Sequence, residues 1–486
     1  MEPILLIHGY SSEGKDNTVK DIYGSLPDDL RHMFGDEAVV ELNLSRWISL
    51  NDGISLDDVS FAMERALRAN YQHLLGAGFN VIIHSTGALV VRNWIRLYSQ
   101  KPSPIKNLVH LAGANFGSGL AHIGRGQLAR WGRLIFGDTG RGLKILNELE
   151  FGSWKSLDMH LEFLSPGNDI YADYKVQEFC MNGSQTLSYL RSIPIRYVKE
   201  DSADNTVRTS ACNLNFNYIP VTPTDSAFGL TIDELKAIVE KRLNNESIKD
   251  IYYQYDLAHL SENRRDVPFA VVYETAHFGG DIGIVAGSDN RESVLPLIEV
   301  ALRTPYDADA YQQVVEDFDV ANSETFNRAK ELDSSIFEWN KQSQYEGHAQ
   351  LIFRLKDQFG NGVENFDITF KTAKFDKKQP RLEKMIEDQH GNRRDDGTIT
   401  FYLRTQAYDK RYKKWRDLLG KVADVDIEVT GYESASGDIA YLPVNIHLPS
   451  HLVQRVIQSF RTTIIDVELV RLPSENVFNI KRAETG

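Results

Sequence analysis

Short apolar runs rich in β-branched residues alternate with longer stretches of helical periodicity up to about residue 304. This alternation is typical of a parallel sheet covered by helices. The predicted strands are Ile4 to Ile7, Ala38 to Leu42, Val81 to His84, Leu108 to Leu111, Ile193 to Val198 and Phe269 to Tyr273. The pattern therefore predicts an α/β domain over residues 1–304.

Two helices of this domain carry clear end signals. Ser55-Leu56-Asp57-Asp58 resembles a capping box, and the apolar residues that follow recur at helical spacing: Val59, Met63, Leu67, Tyr71 and Leu74. A last helix is predicted from about Glu292 to Arg303, since helices usually end before a proline and Pro305 follows.

The pattern changes after residue 304. Residues 305–345 are charged, with uneven helical periodicity, and are predicted to form a helical connector. From residue 346 to residue 486 strand-length pieces lie between turn signals, namely Leu351 to Leu355, Phe366 to Phe370, Thr398 to Leu403, Val425 to Val429 and Val467 to Val470. This third region is predicted to be a β-sandwich domain.

Charge and composition narrow the class of partner. The chain has 486 residues, a hydrophobic fraction of 42% and a formal net charge of -14. Binding to a nucleic-acid backbone needs clustered Lys and Arg, so the acidic balance argues against nucleic acid as the partner. The basic run Arg411-Tyr412-Lys413-Lys414-Trp415-Arg416 is an exception that a solvated charged face explains more simply.

Cysteine count and N-terminal pattern bear on compartment and metal chemistry. Only Cys180 and Cys212 are present, which excludes a disulfide framework and a cysteine-based zinc site. Pro3 to Ile7 is too short for the apolar region of a signal peptide, and no apolar run approaches the roughly 18 residues that span a bilayer. The sequence predicts a cytoplasmic protein and leaves signal-independent export open.

The strongest chemical signal is Ile83-His84-Ser85-Thr86-Gly87, which lies between a predicted strand and a predicted helix. A strand, sharp turn and helix with serine at the apex is the context of the G-x-S-x-G nucleophile elbow. Ile83 stands where the first glycine is usual, and Gly87 lets the helix pack closely. The simpler alternative is a helix N-cap serine.

A serine nucleophile needs a base and an acid to activate it. In proteins with a nucleophile elbow of this kind, the three residues follow one another along the chain in the order serine, acid, histidine. His277, one of thirteen histidines, lies on a glycine-rich loop after the last predicted strand and is the candidate base. The polar loop after the predicted strand 193–198 contains Asp201 and Asp204, and either aspartate could be a turn former or the acid.

These elements resemble the α/β-hydrolase serine esterases, and more narrowly triacylglycerol-lipase-like members that include relatives of the GPI inositol deacylase, over roughly residues 3–304. The resemblance implies an α/β-hydrolase sheet. It favours Asp204 over Asp201, because residues 204–211 are similar to the D-G-x-V-x-x-x-S-A stretch that carries the acid in many such lipases. Asp201 remains the reserve candidate.

The resemblance also implies an oxyanion hole. The turn Ile7-His8-Gly9-Tyr10 matches the superfamily's oxyanion loop, so the N–H groups of Tyr10 and of Thr86, the residue after the nucleophile, would bind the oxyanion. His8 is interpreted as a structural residue that supports the loop. Ala114, where proline is common, is a departure from the pattern. No metal and no organic cofactor is implied.

Two long insertions bear on the substrate. Residues 118–192 are markedly apolar and are predicted to form a cap or lid, or alternatively to pack crossover helices. Residues 214–265 could form a second part of the cap. The apolar residues on which the cap prediction rests are Leu128, Trp131, Leu134, Ile135, Phe136, Leu143, Ile145, Leu146 and Leu149.

The sequence as a whole predicts a serine carboxylic ester hydrolase, a lipase or phospholipase acting on a lipid-like ester through an acyl-enzyme. An acyltransferase that uses the same triad, and a non-catalytic binding protein on the hydrolase fold, are the alternatives. Residues 350–363 resemble the start of bacterial Ig-like modules, which implies an Ig-like sandwich. Its predicted role is contact with a membrane surface or a protein.

Overall fold

The computed structural model describes residues 2–8, 22–49, 51–119, 143–187, 200–244, 251–332, 341–373, 379–432 and 439–473. The chain forms two compact units. Unit 1 comprises Met1–Asn215, Arg265–His348 and Ala407–Arg416, and unit 2 comprises Phe216–Arg264, Ala349–Gln406 and Asp417–Gly486. This division differs from the predicted domain boundaries, because residues 216–264 lie with the C-terminal strands.

Unit 1 is built on a six-stranded parallel sheet. Its strands are β1 (Ile4–His8), β2 (Val39–Asn43), β3 (Phe79–His84), β4 (Ile105–Leu111), β5 (Gln177–Gly183) and β8 (Phe269–Val272). They lie in the order β2-β1-β3-β4-β5-β8, and every neighbouring pair is parallel. Five of the six predicted strands are confirmed, and the predicted strand 193–198 lies outside the described residues.

Helices surround this sheet. They are α1 (Leu26–Phe34), α2 (Leu56–Asn70), α3 (Gln72–Ala77), α4 (Gly87–Tyr98), α5 (Leu143–Glu148), α6 (Trp154–Glu162), α7 (Thr209–Cys212), α10 (Arg291–Arg303) and α11 (Ala308–Lys330). The capping box of α2 is present, because Ser55 and Asp58 each accept a hydrogen bond from the other's backbone N–H. Helix α10 ends at Arg303, before Pro305, as predicted. Both end signals in the sequence are therefore confirmed.

Strand β5 lies inside the predicted cap of residues 118–192, so that prediction was wrong for this part of the segment. The strand is buried along its whole length although it carries Gln177, Glu178 and Asn182. Glu178 accepts a hydrogen bond from His110 Nε2 at 3.0 Å and forms an ion pair with Arg92. Burial raises the pKa of Glu178, but the Arg92 guanidinium and His110 outweigh it and hold that pKa at about 2. Paired in this way, the carboxylate is tolerated in the interior.

The described part of the remaining cap segment packs into unit 1. Ile145, Leu146 and Leu149 are buried. The carbonyl of Leu149 accepts a hydrogen bond from Ser118 N at 2.8 Å. For these three residues the structure supports the packing alternative. Five of the other predicted cap residues, at positions 128, 131 and 134–136, lie outside the described part of the chain.

The connector of residues 305–345 contains the long helix α11, whose N-cap is Asp307. Asn322 of this helix accepts a hydrogen bond from Val271 N at 2.7 Å and donates one to the carbonyl of Phe269 at 2.8 Å. Both partners belong to β8, the last strand of the sheet. The helix thereby occupies main-chain groups that an edge strand would otherwise leave open to another chain.

Unit 2 takes two strands from the insertion and the rest from the C-terminal third. The insertion supplies β6 (Asn217–Pro223), α8 (Asp225–Phe228), α9 (Ile232–Leu243) and β7 (Tyr253–Tyr255). The remaining elements are β9 (His348–Asp357), β10 (Phe366–Thr372), β11 (Ile386–Gly391), β12 (Thr398–Arg404), β15 (Val425–Gly431), β16 (Ile439–Tyr441), β17 (Val444–Leu448), α12 (Ser450–Val456), β18 (Thr462–Leu469) and β19 (Arg471–Pro473). The hairpin of β13 (Gln406–Asp409) and β14 (Lys414–Asp417) belongs mainly to unit 1. Residues 216–264, which the sequence left as a possible second part of the cap, thus supply strands and helices to unit 2.

Two sheets of unit 2 share one core. The first has the order β11-β12-β9-β18-β6-β7 and the second the order β10-β15-β17. Phe353 and Phe401 from the first sheet contact Phe370 from the second, with ring centroids 6.0 and 5.1 Å apart. The predicted sandwich is confirmed. It departs from an all-antiparallel Ig module because β18 runs parallel to both β9 and β6.

In the described residues, every helix is too short or too polar to cross a membrane.

Candidate active site

The nucleophile elbow forms at the carboxyl end of β3. Ser85 has φ of 54°, in the left-handed region that non-glycine residues rarely adopt. A Cβ placed on Gly87 would come within 3.2 Å of the Cβ of Ile83. The β-branched residue in place of the usual glycine is thus accommodated because the first residue of α4 has no side chain.

His277 reaches Ser85 from the loop that follows β8. Its Nε2 lies 3.0 Å from Ser85 Oγ, and its Nδ1 lies 2.8 Å from Asp204 Oδ2. Because an ionised carboxylate only accepts hydrogen bonds, Nδ1 carries the proton and Nε2 is left to accept the serine O–H. His277 and Asp204 are both fully buried.

The acid loop, residues 200–209, holds Asp204 by its backbone. Asp204 Oδ1 accepts hydrogen bonds from Thr206 N at 3.0 Å and Val207 N at 2.7 Å. Glu200 and Arg208, near the two ends of the loop, form an ion pair of 2.6 Å with both side chains largely buried. These contacts fix the carboxylate so that its second oxygen points to the histidine.

Asp201, the reserve candidate for the acid, makes a different contact. Its Oδ1 accepts a hydrogen bond from Ser343 Oγ at 2.9 Å. The main chain also joins the acid loop to the histidine loop, since His277 N donates to the carbonyl of Asp204 at 3.0 Å. Of the two aspartates, it is Asp204 that the structure brings to His277.

His84, the residue before the nucleophile, lies directly against His277. Its Nε2–H donates to the carbonyl of His277 at 3.1 Å, and the two ring centroids are 4.6 Å apart. Loss of solvation and the nearby His277 ring both disfavour its protonated form, so the pKa of His84 lies well below its usual range. A neutral His84 supports the base without adding a second charge. In the sequence, the one sign that His84 has a role at the site is its position immediately before the serine.

The predicted oxyanion donors are only partly described. Thr86 is the N-cap residue of the 12-residue helix α4 and is buried. The N–H groups at a helix start have no acceptor within the helix, and the helix dipole favours negative charge there. Tyr10, the other predicted donor, lies outside the described residues.

The histidine loop approaches β5 closely. A Cβ on Gly183, the last residue of β5, would lie 2.0 Å from the carbonyl oxygen of Thr275. A side chain at this position would push the loop away from the sheet. Among the described residues, no cluster of three or more His, Cys, Asp or Glu side chains is arranged to hold a metal ion.

Fold and site together define a class: an α/β-hydrolase fold in which a serine, a histidine and an aspartate form one hydrogen-bonded chain at the carboxyl edge of the sheet. The chain is similar to the phospholipase PlaB from Legionella pneumophila, with a TM-score of 0.76 and 22% sequence identity, over 100% of this chain and 97% of that one. A second structure of PlaB, in complex with thio-NAD, matches with a TM-score of 0.77 and 20% identity over the same shares.

No protein-family model matches the sequence, and neither does any curated protein. The likeness to PlaB therefore bears on the fold. It confirms the prediction of an α/β-hydrolase sheet with a β-rich C-terminal part.

Proposed function

We propose that the protein is a serine carboxylic ester hydrolase that acts on lipid-like esters. The observation that carries the proposal is the contact chain from Ser85 Oγ through His277 to Asp204, with distances of 3.0 and 2.8 Å. A protein that only binds a ligand would not need a serine with a left-handed backbone conformation that is hydrogen-bonded to a buried histidine–aspartate pair.

The reaction begins with attack on the ester. His277 Nε2 takes the hydroxyl proton as Ser85 Oγ bonds to the carbonyl carbon, and the imidazolium then gives that proton to the departing alcohol. Water next attacks the acyl-serine ester, His277 takes one of its protons, and the carboxylic acid leaves as Ser85 recovers its proton. Asp204 stays ionised and holds the tautomer of His277 throughout.

A lipid substrate is the narrower part of the proposal. The observation that supports it is that the fold is shared with a protein described as a phospholipase. We assign phospholipids and acylglycerols as the substrate class. The C-terminal unit is proposed to contact a membrane surface or a protein.

The first test is Ser85→Ala. Removal of the nucleophile should lower kcat for short p-nitrophenyl esters by about 10⁴- to 10⁶-fold. The fold should be retained, as judged by an unchanged thermal unfolding midpoint. The wild-type protein is then assayed against triglycerides and phospholipids, with an added alcohol to detect acyl transfer.

A fluorophosphonate probe gives an independent measurement. It should label wild-type protein at Ser85 and leave Ser85→Ala unlabelled. Full ester turnover by the variant, or no labelling of the wild type, would contradict the proposed mechanism.

A further inference from the structure

A short segment at the end of the connector is buried beside the triad loops. We call residues 342–345 the brace. Gln342, Gln344 and Tyr345 are all buried, and Tyr345 has no exposed surface. A connector that only joined two regions would have no reason to bury two glutamines and a tyrosine.

The brace contacts the acid loop just before Asp204. Ser343 Oγ donates to Asp201 Oδ1 at 2.9 Å, and the carbonyl of Gln344 accepts from Ser202 N at 3.0 Å. These contacts fall three and two residues before Asp204. Ser202 has φ of 55°, so the loop holds an uncommon conformation where the brace contacts it.

The brace contacts the histidine loop at the equivalent distance along the chain. Glu274 N, three residues before His277, donates to the hydroxyl of Tyr345 at 2.9 Å. Glu274 has φ of 48°, again in the left-handed region. The ring of Tyr345 also stacks on Tyr273, with centroids 5.8 Å apart.

A third contact joins the brace to the chain after β5. The hydroxyl of Tyr345 donates to Gln185 Oε1 at 3.2 Å, and Gln344 Oε1 accepts from Thr186 N at 2.8 Å. Gln185 N in turn donates to the carbonyl of Thr275 at 3.0 Å. The single hydroxyl of Tyr345 thus lies between the chain after β5 and the start of the histidine loop.

Further contacts within unit 1 hold the chain on either side of the brace. The hydroxyl of Tyr408 donates to the carbonyl of Lys330, and Tyr408 N donates to Glu346 Oε1 at 2.8 Å. Trp415 Nε1 donates to the carbonyl of Phe326 at 3.0 Å. The hairpin β13-β14 therefore contacts both the end of α11 and the residue that follows the brace.

We propose that the brace is a positioning element for the triad, and that Tyr345 is its principal positioning residue. The proposal rests on the proposed function, because it assigns the brace the task of fixing Asp204 and His277 relative to each other. Tyr345 has no exposed surface with which to contact a substrate. It acts by holding Glu274, and with it the loop that must place His277 between two partners.

The size of the expected effect follows from the geometry of the histidine. His277 contacts Ser85 and Asp204 at once, so a shift of its loop lengthens one contact or both. Misplacement of catalytic groups by about 1 Å can cost on the order of 100-fold in rate. Loss of one hydroxyl should permit a smaller shift, and we expect kcat to fall by about tenfold.

The test is Tyr345→Phe in the full chain, which removes the hydroxyl and keeps the ring. We expect kcat for a p-nitrophenyl ester to fall about tenfold while KM changes by less than about twofold, since only the reacting geometry is altered.

Tyr311→Phe is the matched control. Tyr311 is also buried, and its hydroxyl donates to the carbonyl of Glu178 at 2.7 Å, near the amino end of β5 and away from the triad loops. This variant should keep the wild-type kcat and KM. Equal losses in the two tyrosine variants would show a general effect of stability and would overturn the proposal.

Hydrogen exchange separates this proposal from the proposed function. In Tyr345→Phe, amides of residues 200–209 and 274–284 should exchange faster than in the wild type, whereas Tyr311→Phe should leave them unchanged. This readout needs no activity, so a wild-type protein inert toward esters would refute the function and leave the brace testable. Unchanged exchange and unchanged kcat would refute the brace.

Ser343→Ala covers the case in which Tyr345→Phe does not fold. It removes the hydrogen bond to Asp201 from a partly exposed side chain. A drop in kcat of about threefold, with faster exchange of residues 200–209, would support the brace; wild-type values for both would overturn it.

Discussion

Asp201 and Asp204 lie three residues apart on one loop, yet their carboxylates contact different groups. Asp204 Oδ2 is 2.8 Å from His277 Nδ1, whereas Asp201 Oδ1 accepts a hydrogen bond from Ser343. The two residues therefore provide a matched pair of substitutions within a single loop.

We expect Asp204→Asn to lower kcat by about 10⁴-fold, because an amide in place of the carboxylate no longer fixes the tautomer of His277 or stabilises its charge. Asp201→Asn keeps an oxygen that can accept from Ser343 and should lower kcat by less than about tenfold. The comparison is made by steady-state hydrolysis of one ester. A larger loss for Asp201→Asn would identify Asp201 as the acid.

The residues that could be predicted from sequence share one property: each follows a recognisable local pattern. Ser85 lies between a strand and a helix, and His277 lies on a glycine-rich loop after a strand. Asp204 needed the family resemblance to be preferred over Asp201. His84 and Tyr345 could not be assigned, because their roles depend on which distant backbone groups they contact.

At the scale of elements, the main failure concerned β5. Gln177, Glu178 and Asn182 interrupt the apolar pattern by which a buried strand is recognised, and no local rule shows that Arg92 and His110 will neutralise Glu178. That residues 216–264 belong to unit 2 was missed for a related reason. Strand β6 pairs with β18 from the far end of the chain, and local periodicity does not indicate which sheet a strand joins.

Helix α6 offers a test of how a buried histidine affects pH stability. His160 Nε2–H donates to the carbonyl of Asn115 at 2.6 Å, joining this helix to the loop after β4. Burial, together with the nearby Arg92 charge, lowers the pKa of His160 to about 3. Below about pH 6.5 the His160 imidazole therefore binds a proton in the unfolded chain but stays neutral in the folded protein. The free energy of unfolding consequently falls as pH decreases.

We expect His160→Gln, which keeps a donor but does not titrate, to reduce this dependence. Between pH 6 and pH 4 the free energy of unfolding of the variant should fall less steeply than that of the wild type, by up to about 1.4 kcal/mol per pH unit. His84 and His110 contribute alike to both proteins and cancel. Urea unfolding at several pH values gives both slopes, and equal slopes would contradict the prediction.

At the scale of the whole molecule, the chain passes between the two units after residues 215, 264, 348, 406 and 416. Neither unit is a continuous piece of sequence. Residues 216–264 belong to unit 2. In the sequence Asp204 comes before this segment and His277 comes after it, so the two triad loops are separated along the chain by a part of unit 2.

A chain truncated after His348 should therefore fail to fold properly. It would retain β6 and β7 but lose β18, the parallel partner of β6, and would expose Ile219 and Val221, which are now buried. We expect aggregation and no esterase activity, measured by light scattering and ester hydrolysis.

Replacing residues 216–264 of the truncated chain by a short glycine-serine linker should restore part of its solubility. A truncated chain that stays monomeric without this replacement, and unfolds cooperatively, would show that the insertion folds without the C-terminal strands.

Strand β6 is synthesised long before β18, the strand with which it pairs in parallel. Thr462, the first residue of β18, follows Pro223 by roughly 240 residues, which at about 5–20 residues per second takes on the order of 10 to 50 seconds. During translation β6 could pair with the same segment of another nascent chain on the polysome. Its sequence, Asn217-Tyr218-Ile219-Pro220-Val221-Thr222-Pro223, contains two prolines, which have no N–H to donate to a neighbouring strand. These prolines protect the segment until its own partner has been made.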